Sequence, residues 1–211
     1  DFDLQTHIDT DLDLNALTEE IELETEIEFT SGDFLEMSIR RERELFDKDF
    51  EIFDDIIVSE GDYDYWRANA QLGTAQSRGV YASIGSDLGL TDYLDGKRYG
   101  ANGKIGWHPS SSLSMELGGN FRWYELEDGE FETIIVDGSI RFTPTKKIAL
   151  TTRVQFDTVS NELGINSRLR WMMNPASDIY LVFNQGFRRF DDRFDRTLTE
   201  GVVKAGWTFR F

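Results

Sequence analysis

From Glu20 to Phe29 the chain alternates without exception. Glutamate holds every even position (Glu20, Glu22, Glu24, Glu26, Glu28), and Ile21, Leu23, Thr25, Ile27 and Phe29 hold the odd ones. Side chains two apart share one face of a strand, so this stretch predicts a strand with one greasy and one wet side. Helix is the competing reading, because Glu and Leu are good helix formers. Strict alternation wound on a helix leaves no apolar stripe, which excludes it. The same rule governs the end of the chain. Val203, Ala205, Trp207, Phe209 and Phe211 fall on one side, and Glu200, Lys204, Thr208 and Arg210 on the other.

Between these two stretches the pattern recurs. Alternating runs lie at about 2–14, 20–29, 34–45, 63–73, 79–90, 97–108, 112–125, 132–143, 147–157, 162–173, 178–188 and 199–211, with a long acidic connection at about 46–62. In the third run Leu35, Met37 and Ile39 keep the apolar side, and the pattern breaks at Arg41 and Arg43. Pro109, Pro144 and Pro175 are the only prolines, and each is expected in a turn between two runs, where a missing N–H costs no ladder bond. Their spacing of roughly 33 residues is that of one hairpin of two membrane-length strands. The Thr30–Asp33 and Gly73–Gln76 stretches continue this series of turns. Aromatics gather near strand ends: Phe29, Trp107, Phe142, Trp171 and Phe211 toward the short turns, Tyr99, Trp123, Phe156 and Phe187 toward the long connections. Two such rings are expected where a barrel crosses the lipid headgroups. The fold expected is all-β: a transmembrane antiparallel up-and-down β-barrel of about twelve strands, formed by one domain over residues 1–211.

Composition agrees. The 211 residues carry a formal net charge of −18. No stretch approaches the ~20 apolar residues of a membrane helix, and a β-barrel needs none, because its lipid-facing and lumen-facing residues alternate. Cysteine is absent, which excludes disulfides and thiolate chemistry. The acidity argues against nucleic acid as a partner. The chain begins at Asp1 without Met or signal peptide, as expected of a processed protein or of the distal part of a longer one.

The closing aromatics Trp207, Phe209 and Phe211 resemble the insertion signal on the last strand of bacterial outer-membrane barrels, and this implies barrel-assembly machinery as a transient partner. A second resemblance covers about the last sixty residues. Phe156-Asp157-Thr158-Val159-Ser160-Asn161, Arg168-Leu169-Arg170-Trp171, Asp178-Ile179-Tyr180-Leu181-Val182-Phe183-Asn184-Gln185 and Phe209-Arg210-Phe211 resemble large outer-membrane proteins that place a family-9-like carbohydrate-binding module before a barrel of unassigned function. No such module is visible here. The resemblance implies a missing N-terminal domain or a protein partner, and possible extra strands.

Inward positions divide by charge. Asp9, Asp11, Glu20, Glu22, Glu24, Glu26 and Glu28 form an acidic lumen wall on the first strands. Arg122, Arg141, Arg153, Arg168, Arg170 and Lys204 form a basic wall on the later ones. In a closed barrel the first strand pairs with the last, and the acidic arc faces the basic arc. Pleat geometry puts Arg41 and Arg43 on the outer face near the membrane boundary, in reach of lipopolysaccharide phosphates.

Chemistry-bearing constellations are scarce. His7 and His108 are the only histidines, and neither has the partners of a triad or a metal site. His108, expected in a turn, reads as structural. Acidic loops around Asp54 and around Asp191, Asp192 and Asp195 lack the spacing of a calcium loop. No cofactor and no enzymatic activity are expected. The function expected is a passive, porin-like channel with a charged lumen in the bacterial outer membrane. The alternative is an anchor or scaffold barrel for a missing domain or a partner protein.

Overall fold

The computed structural model describes residues 1–10, 16–191 and 193–208. None of them is helical. Fourteen strands follow one another: β1 Phe2–Thr10, β2 Ala16–Glu28, β3 Phe34–Phe46, β4 Phe50–Phe53, β5 Ile56–Val58, β6 Gly61–Gly73, β7 Val80–Gly89, β8 Lys97–Ser110, β9 Leu113–Leu126, β10 Gly129–Thr145, β11 Ile148–Asp157, β12 Glu162–Asn174, β13 Ser177–Phe190 and β14 Arg193–Trp207. Twelve form one antiparallel sheet in the order β1-β2-β3-β6-β7-β8-β9-β10-β11-β12-β13-β14, and β4 pairs only with β5. Apart from that inserted hairpin, each strand pairs with its neighbours in sequence, so the up-and-down meander expected from the alternation is the observed fold.

Two compact units divide the chain. One holds Asp1–Ala75, Ser83–Gly103 and Asn120–Thr133; the other holds Gln76–Ala82, Lys104–Gly119 and Ile134–Phe211. In the first, β2 and β3 pair from Thr18↔Glu44 to Glu28↔Phe34, and β3 and β6 pair from Phe34↔Gly73 to Phe46↔Gly61, with no register shift in either ladder. Strand β3 therefore runs straight through Arg41 and Arg43. The apolar pattern stops there, but the strand does not. In the second unit β11, β12, β13 and β14 form continuous ladders. One residue is extra near Thr197, where Gly186 opposes Leu198 and Phe187 opposes Arg196, a bulge that absorbs the mismatch between long strands.

Several connections differ from expectation. The acidic stretch at 46–62 contains the β4–β5 hairpin, whose tip residues Asp54 and Asp55 both have positive φ (32° and 68°). Two left-handed residues in a row suit the tight hairpin turns whose twist matches that of strands, and Asp tolerates this conformation. The expected connections at 125–131 and 188–198 shrink to tight turns, because β9, β10, β13 and β14 extend into them. Only Pro175 lies in a turn. Pro109 and Pro144 sit inside the last residues of β8 and β10. Pro144 lies where the β10–β11 register shifts between Phe142 and Thr145, so no ladder bond is lost. Strand β1 is described as far as Thr10, and Asp11 to Asn15, Asp192 and Phe209 to Phe211 lie outside the described residues.

Apolar residues populate the exposed positions. Ile84 is 67% exposed and Val203 is 72%, whereas Glu22, Glu42 and Arg98 fall at 9%, 8% and 7%. A water-soluble sheet shows the reverse preference.

Candidate functional site

The polar side of the sheet carries the charged rows foreseen from the sequence, and strand register decides how they meet. Opposite residues on paired strands lie side by side. Glu22 stands opposite Arg40 on β3, and Arg40 opposite Arg67 on β6. The neighbouring row holds Glu20, Glu42 and Tyr65. Arg40 reaches three carboxylates: Nη2 donates to Glu22 Oε2 at 2.5 Å, and Nη1 lies 3.4 Å from both Glu20 Oε2 and Glu42 Oε1. Arg67 donates to Glu42 Oε1 as well. Tyr65 donates its hydroxyl to Glu44 Oε2 at 2.8 Å. The upper part of the acidic wall is thus paired with cations of the neighbouring strands, two arginines serving the three carboxylates Glu20, Glu22 and Glu42. The lower part is not: among the described residues Glu24, Glu26 and Glu28 form no ion pair. A polar cleft runs beside them, lined by Glu24, Glu36, Ser38, Asn69, Gln71 and Asn102.

A second buried group sits in the same unit. Arg98 Nη2 donates to Asp87 Oδ2 at 2.5 Å, and Arg122 Nε lies 3.7 Å from the same oxygen. Gly100 makes this possible, since a Cβ there would lie 3.1 Å from Asp87 Cβ and 3.4 Å from Arg122 Cγ. The Arg98 guanidinium stands 5.4 Å from the ring centre of Tyr93 and 5.8 Å from that of Tyr124, within cation–π range. Burial pushes the Tyr93 phenol, in the loop after β7, up to about 12, so it stays neutral at physiological pH.

Arg122 of the basic wall belongs to the first unit; in the other unit the rest of that wall is solvated and mostly unpaired. Arg170 donates to Asp178 Oδ2 at 3.1 Å, and the Tyr180 hydroxyl donates to the same oxygen at 3.0 Å. Arg168 stacks 4.6 Å above the Tyr180 ring, and Lys204 stands opposite Tyr180 on β14. Asn166, Arg168, Tyr180 and Lys204 line one cleft. Arg141, Lys146, Lys147 and Arg170 line another near the β10–β11 turn. Among the described residues Arg141, Arg153 and Lys204 form no ion pair.

The remaining expected residues separate cleanly. Arg41 pairs with Asp64; Arg43 pairs with Asp62 at 2.6 Å and lies 3.6 Å from Glu19, so both arginines have acidic partners on strands adjoining β3. His7 Nε2 lies 3.2 Å from Asp9 Oδ1, both exposed. His108 is a residue of β8 rather than of a turn, and its ring stacks on Tyr81 at 5.3 Å. Trp207 closes β14 on the apolar side, and its companions Phe209 and Phe211, like Asp11 of the acidic wall, lie outside the described residues. Among the described residues no group of three or more His, Asp or Glu is arranged to hold a metal ion.

Sequence reasoning missed Arg40 and Arg67 as members of the acidic sector. Their parity along β3 and β6 places them on the polar face, but alternation within a strand does not reveal which residue stands opposite on the next. Tyr180 was likewise legible as an inward residue, and only register puts it under Arg168.

No family model matches the chain, and no curated protein matches it. Solved structures similar to it include "KdgM porin" (12% identity, 91% of this chain and 93% of that one, TM-score 0.36). Others are "KdgM porin in complex with disordered oligogalacturonate" (13% identity, 92% and 94%, TM-score 0.35) and "NanC porin structure in rhombohedral crystal form" (13% identity, 92% and 94%, TM-score 0.37). The twelve-stranded order and the registers stand independently of these likenesses.

Proposed function

We propose that the twelve strands close into a barrel in the bacterial outer membrane, with lipid against the apolar face and a passive, water-filled channel along the charged face. One observation carries the reading: large apolar side chains such as Ile84 and Val203 are exposed while Glu22, Glu42 and Arg98 are buried. Lipid satisfies the first set, and only water and ion pairs satisfy the second. Buried polar atoms without a protein partner among the described residues, such as Arg40 Nε, Asp87 Oδ1 and Arg98 Nε, also favour a wet interior over a dry one.

Charge on the lining sets the selectivity. Unpaired Glu24, Glu26 and Glu28 are matched by unpaired Arg141, Arg153 and Lys204, but over the whole charged face carboxylates outnumber arginines and lysines, so the pore prefers cations. The test is reversal potential across a planar bilayer in a salt gradient. The expected result is a cation-selective wild type, less so with Glu24→Gln and Glu26→Gln. Glu22 is left intact, since removing it would also free Arg40. An anion-selective wild type, or unchanged selectivity in the double variant, would overturn the assignment. At the membrane boundary Arg41 and Arg43 meet lipopolysaccharide phosphates, and Trp207, Phe209 and Phe211 serve as the signal read during insertion.

A further inference from the structure

The β4–β5 hairpin does not project away from the sheet. It folds over the polar face and carries its own core. Ile56 and Val58 are buried and Ile57 between them is exposed, so one edge of β5 faces inward. Their companions in a single apolar cluster are Tyr65, Leu94 and Leu126, with Phe50 and Phe131 packed around it. Tyr65 and Leu126 decide which side of the sheet is covered. Tyr65 shares its face with Arg67 and bonds Glu44, and Leu126 shares its face with Arg122. Both belong to the charged side. Phe53 stacks on Phe131 at 4.7 Å, which ties the hairpin tip to β10.

The loop after β7 meets the hairpin from the next connection. Tyr93 and Gly96 exchange two backbone hydrogen bonds, at 2.7 and 2.8 Å, around Leu94 and Asp95, which have φ of 49° and 60°. A left-handed leucine is sterically disfavoured, and such a conformation persists only where its surroundings fix it. Here the surroundings are visible: the Leu94 side chain is 5% exposed inside the cluster. Tyr93 then packs edge-on against Tyr65 at 4.9 Å and next to Tyr124 at 5.9 Å. The result is an apolar seal with charged residues directly beneath it, Arg98 against Tyr93 and Tyr124, and Arg67 two positions from Tyr65.

We propose that the β4–β5 hairpin and the Tyr93–Gly96 turn form a fixed internal constriction that sets the size limit of the passage. Hydrated solutes cannot cross a packed apolar cluster, so passage is confined to the part of the charged face left uncovered. The underside of the hairpin is apolar while its outward residues Asp47, Asp49, Glu51, Asp54 and Asp55 are acidic. This polarity is what an element needs to lie between a packed seal and water.

The inference rests on the channel reading, and two readouts keep them apart. Phe46 and Gly61 are paired, so a short Asn-Gly turn can replace residues 47–60 without disturbing β3 or β6. A second variant, Ile56→Ser with Val58→Ser, loosens the seal at full length. The chain has no cysteine, so Asn69→Cys places a single thiol on the charged face below the seal. The first readout is labelling of that thiol in intact cells by polyethylene-glycol maleimides of increasing size. The second is single-channel conductance. Heat-modifiable gel mobility verifies folding, and if the loop replacement fails to assemble, the serine variant decides. Large reagents should label the opened variants at least about tenfold faster than the parent, equivalent to about 1.4 kcal/mol of lost closure, and conductance should rise. Equal labelling rates in folded variants would overturn the constriction. Faster labelling with no current in any form would uphold the constriction and overturn the channel.

Discussion

Replacing Arg40 with alanine removes the cation on which the acidic sector of β2 and β3 converges. The side chain is about one-quarter exposed and serves three carboxylates. A charge-assisted hydrogen bond is worth about 1.5–3 kcal/mol, and the short contact to Glu22 belongs to that class. The two contacts at 3.4 Å are weaker, and partial solvation discounts them to about 0.5 kcal/mol each. Arg67 still holds Glu42 after the change, so the groups left without a cation are Glu20 and Glu22. The expected loss is about 2–3 kcal/mol, or roughly 30- to 150-fold in the folding equilibrium. A urea titration of folding in lipid vesicles, followed by tryptophan fluorescence and gel mobility, measures it. Adding Glu22→Gln to Arg40→Ala should recover about half of the loss, because the buried carboxylate and not the missing arginine is then the dominant cost. A loss under about 0.5 kcal/mol, or a double variant less stable than the single one, would refute the claim that Arg40 neutralises this sector.

Gly106→Ala should destabilise by about 1–3 kcal/mol, because its Cβ would enter the Tyr81 ring, and Tyr81→Ala in the same background should relieve it; thermal unfolding of the three variants checks this. Arg41→Ala with Arg43→Ala should lower the lipopolysaccharide retained by purified protein, and Asp62→Asn with Asp64→Asn should raise it by releasing the arginines; unchanged lipid in both would remove the phosphate contact. For orientation, Val159→Cys at the β11–β12 turn should react with an impermeant maleimide in intact cells, and Lys146→Cys at the opposite end should react only after the outer membrane is opened. The reverse pattern would invert the topology.

The fold was legible because a β-strand exposes alternate residues to different surroundings, and that period is a property of the chain itself. Glu20 to Phe29 states it without any partner, as does Val203 to Trp207. Twelve such runs in a meander need no long-range information beyond turns, which is why strand number and order followed from sequence. The ends of strands were less legible. Glu125 to Phe131 and Arg188 to Leu198 are polar enough to read as loops, yet β9 runs to Leu126, β10 starts at Gly129, β13 runs to Phe190 and β14 starts at Arg193, each held by its ladder to a neighbour. The charged site divides the same way. The parity of Glu22, Glu24, Glu26, Arg168 and Lys204 placed them on one face. Which of them are neutralised depends on register, and register is a relation between two strands: it sets Arg40 beside Glu22 and leaves Glu24 and Glu26 bare. The hairpin at Phe50–Val58 is the clearest case of what only tertiary structure decides. Six of its nine residues are apolar (Phe50, Ile52, Phe53, Ile56, Ile57 and Val58), but they do not alternate across Asp54 and Asp55, so the sequence marks no single face as a core. Ile56 and Val58 become core residues only because Tyr65, Leu94 and Leu126, distant in sequence, supply the rest of the apolar surface that excludes water.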